Sequence, residues 1–279
     1  MTAPSIAVPS TAAKGAHIPL VGLGTWDLRG RECARLVDQA IGLGYRHFDT
    51  AQIYGNEREL GEGVRASGIR REEVFVVTKV APENLAPGPL ARSVRDSIRN
   101  LRLGEIDLLL LHWPNKGVPL DETIAALCAA KREGLARHIG VSNYTVALLD
   151  EATRLAGDRL VCNQIEYHPY LDQSKVIAGT RRHGMAVVAY SPIARGGAKG
   201  DATLARIGSA HGKTAAQVSL RYLVQQDIAV IPRTSKVERL AENIALFDFA
   251  LSDAEMQEIA GLAHPGGRIV DWAWSPKWD

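Results

Sequence analysis

Short apolar, β-branched segments recur along the chain and predict eight strands, at 18–23, 46–50, 73–79, 106–113, 138–143, 161–167, 185–191 and 228–233. Between them, apolar residues fall three or four positions apart, which is the spacing of an amphipathic helix. One face of the first helical stretch, for example, is formed by Cys33, Leu36, Val37, Ala40 and Ile41. The pattern therefore predicts strands that alternate with helices.

The further helices are predicted at 57–67, 88–102, 121–133, 145–156, 173–183, 214–225 and 235–247, with an extra one at 202–211. Two of them begin with the sequence of a capping box, in which a hydroxyl residue precedes Glu or Gln by three positions. These boxes are Thr214-x-x-Gln217 and Ser235-x-x-Glu238. They predict helix starts at Thr214 and Ser235.

Strands that alternate with helices indicate a parallel sheet, because parallel strands need long crossover connections. Eight such units predict an α/β fold of the (β/α)8 TIM barrel type, which has no edge strand. We expect one domain over 1–279, with a lead-in at 1–17 and a tail at 263–279 over the barrel mouth. The alternative is a doubly wound open sheet, but its glycine-rich turn after a strand is missing. A loose match at 61–66 lies inside a predicted helix and is interpreted as chance.

Composition argues against several classes of partner and site. With 33 Lys+Arg against 31 Asp+Glu, the net charge of +2 gives no reason to expect a nucleic acid or membrane partner. Neither a membrane-spanning run nor a secretory signal is visible, so we expect a cytoplasmic protein. The three cysteines, Cys33, Cys128 and Cys162, are far apart, which argues against a disulfide framework or a thiolate zinc site. No metal is expected.

Ionisable residues stand at the ends of consecutive strands, where barrels carry their reactive groups. Asp49, Lys79 and His112 end the second, third and fourth predicted strands, and Tyr54 follows in the next loop. Each alone is compatible with a structural role, but together they suggest a proton donor. We expect Lys79 to lower the pKa of Tyr54 from about 10, Asp49 to hold Lys79 charged, and His112 to orient a carbonyl oxygen or share the proton.

An anion site is predicted after the last strand. There Arg233 and Thr234 precede the expected helix start at Ser235, and Arg239 lies in its first turn. Free N–H groups at a helix start and two guanidinium groups suit a phosphate, and the arginines favour the 2′-phosphate of NADP over NAD. Solvated surface arginines are the alternative. A nicotinamide hydride and a proton from Tyr54 would together reduce a carbonyl.

Three segments resemble the motifs of the aldo-keto reductases. They are GYRHFDTAQIYGNERELG at 44–61, HIGVSNY at 138–144 and IPRTSKVERLAEN at 231–243. The similarity runs from IPLVGLGTW at 18–26 to the last strand and helix, and the KWD ending resembles the prokaryotic branch that acts on methylglyoxal and 2,5-diketo-D-gluconate. The resemblance implies a catalytic tetrad of Asp49, Tyr54, Lys79 and His112, with Tyr54 as the acid.

The resemblance also implies a site for NADP (NADPH). The implied contacts are Gly24, Thr25, Trp26 and Asp49 near the first strands; Ser142, Asn143 and Gln164 at the nicotinamide carboxamide; Tyr190 stacked on the ring; Ser191, Pro192, Ile193 and Arg195 along the pyrophosphate; Arg233, Thr234, Ser235 and Arg239 at the 2′-phosphate; and Glu242 and Asn243 at the adenine. The family more often has Lys at the position of Arg233. The loop ARGGAKGD is shorter than in many relatives, which predicts a more exposed pyrophosphate and easier cofactor exchange.

Tryptophans indicate the substrate side. Trp26 and Trp113 follow the first and fourth predicted strands, and Trp272, Trp274 and Trp278 lie in the last eight residues. We expect the tail to fold over the mouth, so that a pocket forms from Trp26, Tyr54, His112, Trp113, Trp272 and Trp274. Tail packing on the barrel wall and a dimer contact are the alternatives. The short segment after Trp113 suits small substrates.

The sequence thus predicts an NADPH-dependent reductase of small aldehydes, ketones or α-dicarbonyls, acting as a monomer or weak homodimer on a small-molecule carbonyl. An NADP-binding regulatory or redox-sensor protein on the same scaffold is the alternative. A third possibility is an isomerase or aldolase that uses Lys79 as a Schiff base, which would require Lys79 to be free of Asp49.

Overall fold

A β-hairpin precedes the barrel in this computed structural model, which describes residues 8–279. Its strands are β1 (Ser10–Ala13) and β2 (Ala16–Pro19), which pair antiparallel. The hairpin lies at the end of the barrel where the strands begin, since Thr11 donates to Asp227 and Lys14 pairs with Asp158, each just ahead of a barrel strand. Residues 1–7 of the predicted lead-in lie outside the described part.

The prediction of one strand over 18–23 is wrong. Its first two residues belong to the hairpin, and the first barrel strand, β3, begins at Gly22 and ends at Gly24. The apolar run is continuous because it serves two sheets in succession. The amide of Leu20 still donates to the carbonyl of Pro9 in the hairpin, whereas Leu23 pairs with Phe48 of the barrel strand that follows.

Eight parallel strands form the barrel, and each neighbours the next in chain order. After β3 they are β4 (His47–Asp49), β5 (Phe75–Val80), β6 (Ile106–Leu111), β7 (Ala136–Ser142), β8 (Leu160–Glu166), β9 (Ala186–Tyr190) and β10 (Ala229–Val230). A parallel bridge between Val21 and Val230 closes the sheet. The predicted single-domain (β/α)8 TIM barrel is confirmed.

Helices surround the sheet. They are α1 (Gly30–Gly42), α2 (Glu57–Ala66), α3 (Pro87–Leu101), α4 (Leu120–Arg132), α5 (Val146–Ala156), α6 (Ser174–Arg182), α7 (Ala202–His211), α8 (Ala215–Val224), α9 (Val237–Ile244) and α10 (Asp253–Ala260). All six residues of β6 are buried, because helices cover one face of the strand and side chains fill the other. Within the described residues, none of the helices combines the length and apolarity that crossing a membrane requires.

Of the two predicted capping boxes, one starts a helix and the other does not. The predicted capping box of Thr214 and Gln217 is present, and so is the extra helix α7. The prediction that Ser235 starts a helix is wrong, because α9 begins at Val237 with Lys236 as its N-cap. Thr234 turns the chain there by accepting the amide hydrogen of Lys236 at 3.0 Å. Helix α10 was not predicted, although Ser252 and Glu255 form a capping box at its start.

Glycines on α2 permit close helix packing. A Cβ added at Gly61 would collide with the carbonyl oxygen of Leu101 on α3, and one added at Gly63 would collide with that of Ala34 on α1. The loose glycine pattern at 61–66 is therefore a packing feature of a helix, as its predicted helical position implied.

We predict that Gly61→Ala lowers the free energy of unfolding by about 2 kcal/mol, because the methyl group must displace backbone atoms. The measurement is urea-induced unfolding. Gly42→Ala is the matched control, since an added Cβ there meets no atom within 4 Å. It should leave stability unchanged or raise it by up to about 1 kcal/mol. Equal effects of the two substitutions would contradict the packing role.

Candidate active site

A cavity of about 370 Å³ opens at the carboxyl ends of the barrel strands. This is the rim where barrels hold their reactive groups, because all eight connecting loops after the strands meet there. The predicted site residues that line it are Gly24, Trp26, Asp49, Tyr54, His112, Trp113, Ser142, Asn143, Gln164, Tyr190, Ser191, Pro192, Ile193, Arg195, Arg233, Thr234, Ser235, Arg239 and Trp272. The structure thus brings together residues that lie up to 248 positions apart in the sequence (24 to 272).

Five predicted residues lie outside the cavity wall. Lys79 is fully buried beneath it, and Thr25 is buried with its hydroxyl donating to the carbonyl of Asp49 at 2.9 Å. Glu242 accepts a hydrogen bond from Thr214 at 2.6 Å, between α8 and α9, and Asn243 is buried on α9. Trp274 lies behind the wall, edge-on to the ring of Trp113.

The floor of the cavity is a buried ion pair. The ammonium of Lys79 on β5 pairs with the carboxylate of Asp49 at the end of β4, and it donates to the carbonyl of Thr50 at 2.8 Å. The second carboxylate oxygen of Asp49 accepts from Gln164 at 2.8 Å. Because Lys79 is bound in this way, the Schiff-base alternative, which needs a free Lys79, finds no support.

Tyr54 lies above this ion pair. It ends a short 3₁₀ turn, Gln52–Tyr54, and Gly55 follows with a left-handed φ of 65°. The side chain of Gln52 fixes the turn by accepting the amide hydrogen of Ala81 at 2.9 Å. The hydroxyl oxygen of Tyr54 lies 3.5 Å from Lys79 Nζ, and the ring of His112 approaches the Tyr54 ring edge-on. The predicted four residues therefore meet at one point.

Burial dominates the protonation of these groups. It lowers the pKa of Lys79, an effect that Asp49 opposes. Burial, together with the charge of Lys79, holds the pKa of His112 well below its usual value, so its imidazole is neutral at pH 7. The expectation that Lys79 lowers the pKa of Tyr54 is wrong. Burial and the Asp49 carboxylate raise that pKa well above 10, so the phenol keeps its proton.

Amide and hydroxyl groups form the wall beside His112. Asn143 donates to the carbonyl of His112 at 3.0 Å and accepts from the hydroxyl of Tyr190 at 2.8 Å. Its backbone has a left-handed φ of 64°, a conformation that Asn tolerates better than most residues. Ser142 donates to the carbonyl of Gln164 at 2.9 Å. This wall presents polar groups in fixed directions.

Four cations line the opposite end of the cavity: Arg195, Lys199, Arg233 and Arg239. Burial and the charge of Arg239 lower the pKa of Lys199, which shows how closely these cations are grouped. The guanidinium of Arg195 lies 5.0 Å from the centre of the Trp26 ring. Arg233 donates to the carbonyls of Trp26 and Asp27 at 3.2 and 3.1 Å. Such a set of donors suits an anion with several phosphate groups.

The tail reaches the cavity from the other side. Trp272 lines the wall and stacks on Trp274, whose ring lies edge-on to Trp113 at 5.1 Å. The tail therefore lies over the barrel mouth, as predicted. Sequence reasoning missed several lining residues: Asp27, Ile53, Gly196, Lys199, Ile231 and Val270. Lys199 stands in the loop already noted after the seventh predicted strand, whereas Val270 has no sequence signal.

A model of the Aldo/keto reductase family matches residues 20–264. The chain belongs to the aldo/keto reductase family, as its motifs predicted, and it is an oxidoreductase. It is 38% identical over 265 residues to the methylglyoxal reductase DkgB of Escherichia coli O157:H7, a match that covers 94% of this chain and 99% of the relative.

Solved structures of reductases superpose on this chain over nearly its whole length. A putative 2,5-diketo-D-gluconic acid reductase B superposes with a TM-score of 0.96 at 48% identity and covers 98% of both chains. A Bombyx mori aldo-keto reductase solved in complex with NADP superposes with a TM-score of 0.88 at 32% identity and covers 96% of both chains.

We predict that His112 makes the protein less stable in mild acid. Its pKa is lowered in the folded state, so below about pH 6.5 the unfolded chain binds the proton more readily. Stability therefore falls with pH by up to about 1.4 kcal/mol per pH unit for this group. His112→Asn should reduce that slope, as measured by urea unfolding between about pH 5 and pH 7. An unchanged slope would contradict a neutral, buried His112.

Proposed function

We propose that the chain catalyses NADPH-dependent reduction of small aldehydes, ketones or α-dicarbonyls, of the methylglyoxal or 2,5-diketo-D-gluconate type, with Tyr54 as proton donor. The observation that carries this proposal is the buried pair of Lys79 and Asp49, which meets the hydroxyl of Tyr54 at the cavity floor beside a neutral His112. The reductase relatives support the reaction class.

The cavity suits a nicotinamide dinucleotide. Its polar wall offers Ser142, Asn143 and Gln164 to a carboxamide, and its cationic end offers guanidinium groups to phosphates. The half-buried ring of Tyr190 is available for stacking. When bound there, a reduced nicotinamide supplies the hydride. The NADP bound by the Bombyx mori relative supports this cofactor.

Tyr54 supplies the proton. Its raised pKa keeps the phenol protonated at neutral pH, so the proton is present when the carbonyl oxygen becomes basic during hydride transfer. As the proton leaves, the ammonium of Lys79, 3.5 Å from the hydroxyl and 5.0 Å from the ring centre, stabilises the phenolate. Asp49 keeps Lys79 in place, and the neutral imidazole of His112 orients the substrate oxygen by a hydrogen bond.

The substrate end of the cavity is apolar, whereas its four cations lie at the cofactor end. Ile53, Trp113, Val270 and Trp272 form this end, and Ile53 and Trp272 are each about half exposed, at 51% and 52%, whereas Trp26 lies against Arg195 at the cation end. An apolar rim favours small uncharged α-dicarbonyls such as methylglyoxal, because a carboxylate there would lose its hydration without gaining a cation.

We predict that Tyr54→Phe lowers methylglyoxal turnover by about 10²- to 10⁴-fold, since the acid is removed. Oxidation of NADPH is the measurement, and the NADPH dissociation constant should stay the same. Tyr222→Phe is the control, because it removes a hydroxyl whose partner is Tyr167, outside the cavity wall. A Tyr54→Phe protein that retains turnover would exclude Tyr54 as the donor.

Arg239 is predicted to bind the 2′-phosphate of NADPH. Arg239→Gln should weaken NADPH binding by about tenfold or more, since a charge-assisted hydrogen bond is lost, and should leave NADH binding unchanged. Fluorescence titration with both cofactors is the measurement. Arg206→Gln, an exposed residue paired with Glu258, is the control. Equal losses for NADPH and NADH would argue against a 2′-phosphate contact.

A further inference from the structure

The chemistry proposed above leaves the segment Glu166–Tyr170, which follows the predicted cofactor contact Gln164, without a role. Glu166 is the last residue of β8 and is fully buried. Its two carboxylate oxygens accept the backbone amide hydrogens of Ile269 and Val270 in the tail, at 2.7 and 2.8 Å. His168, also fully buried, lies with its Nε2 3.0 Å from the same carboxylate.

Further contacts join the tail to this segment. The carbonyl of Tyr170 accepts the amide hydrogen of His264 at 3.1 Å. Gly267 passes so close to that carbonyl that a Cβ there would collide with it. The guanidinium of Arg268 lies 4.0 Å from the Glu166 carboxylate and 3.8 Å from the centre of the Trp278 ring. The tail is therefore held at consecutive points from 264 to 270.

The same strand carries a residue of the cavity floor. Gln164 and Glu166 point to the same face of β8, because side chains alternate along a strand. Gln164 donates to Asp49, whereas Glu166 holds Val270, which lines the cavity two residues before Trp272. The spacing along β8 thus sets the distance between the floor and the tail wall of the cavity.

A carboxylate is the suitable group for this position. It offers acceptors only, which matches two backbone donors, whereas an amide in its place would direct an NH₂ group at a backbone N–H. A buried carboxylate is costly unless its hydrogen bonds are complete, and displacing the tail would remove the two that Ile269 and Val270 supply.

We propose that Glu166 is a positioning residue, which fixes the tail residues Val270 and Trp272 as the substrate wall and thereby sets the KM for the carbonyl. This inference rests on the proposed reductase function. Glu166 makes no hydrogen bond to the Tyr54 hydroxyl or to Lys79. Burial and the charge of Glu166 raise the pKa of the neighbouring Tyr190, so the NADPH dissociation constant is measured beside KM to separate an effect on the cofactor wall from one on the tail.

The test compares Val270→Pro with Val270→Ala. Both substitutions remove the valine side chain at position 270, but only proline also removes the backbone N–H that donates to Glu166. Relative to Val270→Ala, Val270→Pro should raise the KM for methylglyoxal by about tenfold, with kcat and the NADPH dissociation constant within about twofold. Equal KM values for the two variants would overturn the proposal.

Glu166→Gln perturbs the same hydrogen bond from the acceptor side. Its KM should also rise, and the effect of the double variant should be smaller than the product of the two single effects, because both changes break the hydrogen bond between Glu166 and the Val270 amide. Additive effects, or a loss of stability with an unchanged KM, would indicate a purely structural role for Glu166.

Hydrogen exchange separates this proposal from the reductase function. In Glu166→Gln, the amides of 266–272 should exchange faster, while peptides from the barrel strands keep their protection. This result is independent of turnover. A wild-type protein that reduces no carbonyl would overturn the reductase function, whereas unchanged exchange of 266–272 would overturn the anchoring by Glu166.

Discussion

The ion pair of Lys79 and Asp49 determines how the rest of the site is built. Placing an ammonium in a barrel core is costly, and only a partner with complete hydrogen bonds compensates for that cost. Here each member of the pair has a further hydrogen bond, because Asp49 also accepts from Gln164 and Lys79 also donates to the carbonyl of Thr50. These contacts join the neighbouring strands β4 and β5 to β8, which lies farther along the sheet. Tyr54 lies directly over this ion pair.

Barrel closure explains how the two ends of the cavity differ. Because β3 lies next to β10 across the closure, Arg233 after the last strand reaches the loop of Trp26 and Asp27 after the first. Cations from two late loops gather at this side. The apolar side is formed by Trp113 and by the tail, which Glu166 holds. One cavity therefore offers separate places for phosphates and for a small carbonyl.

Much of this site was predictable, because the reactive residues stand at strand ends and apolar runs mark the strands. Asp49, Tyr54 and His112 were placed at the rim for that reason. Ser235 was misplaced, because Thr234 turns the chain and delays the helix by two residues. The pKa of Tyr54 was misjudged, since burial is a property of the fold. The contact of Glu166 with Val270 joins residues 104 positions apart and leaves no local pattern.

Hydride transfer itself is tested most directly with NADPH that carries deuterium at the transferable position, prepared for each face of the nicotinamide in turn. With methylglyoxal as substrate, we expect one face to deliver one deuterium to the new alcohol carbon for every NADPH oxidised. Tight NADPH binding without any alcohol, or an alcohol that lacks deuterium from both preparations, would contradict a reductase and favour a regulatory or redox-sensing protein on this scaffold.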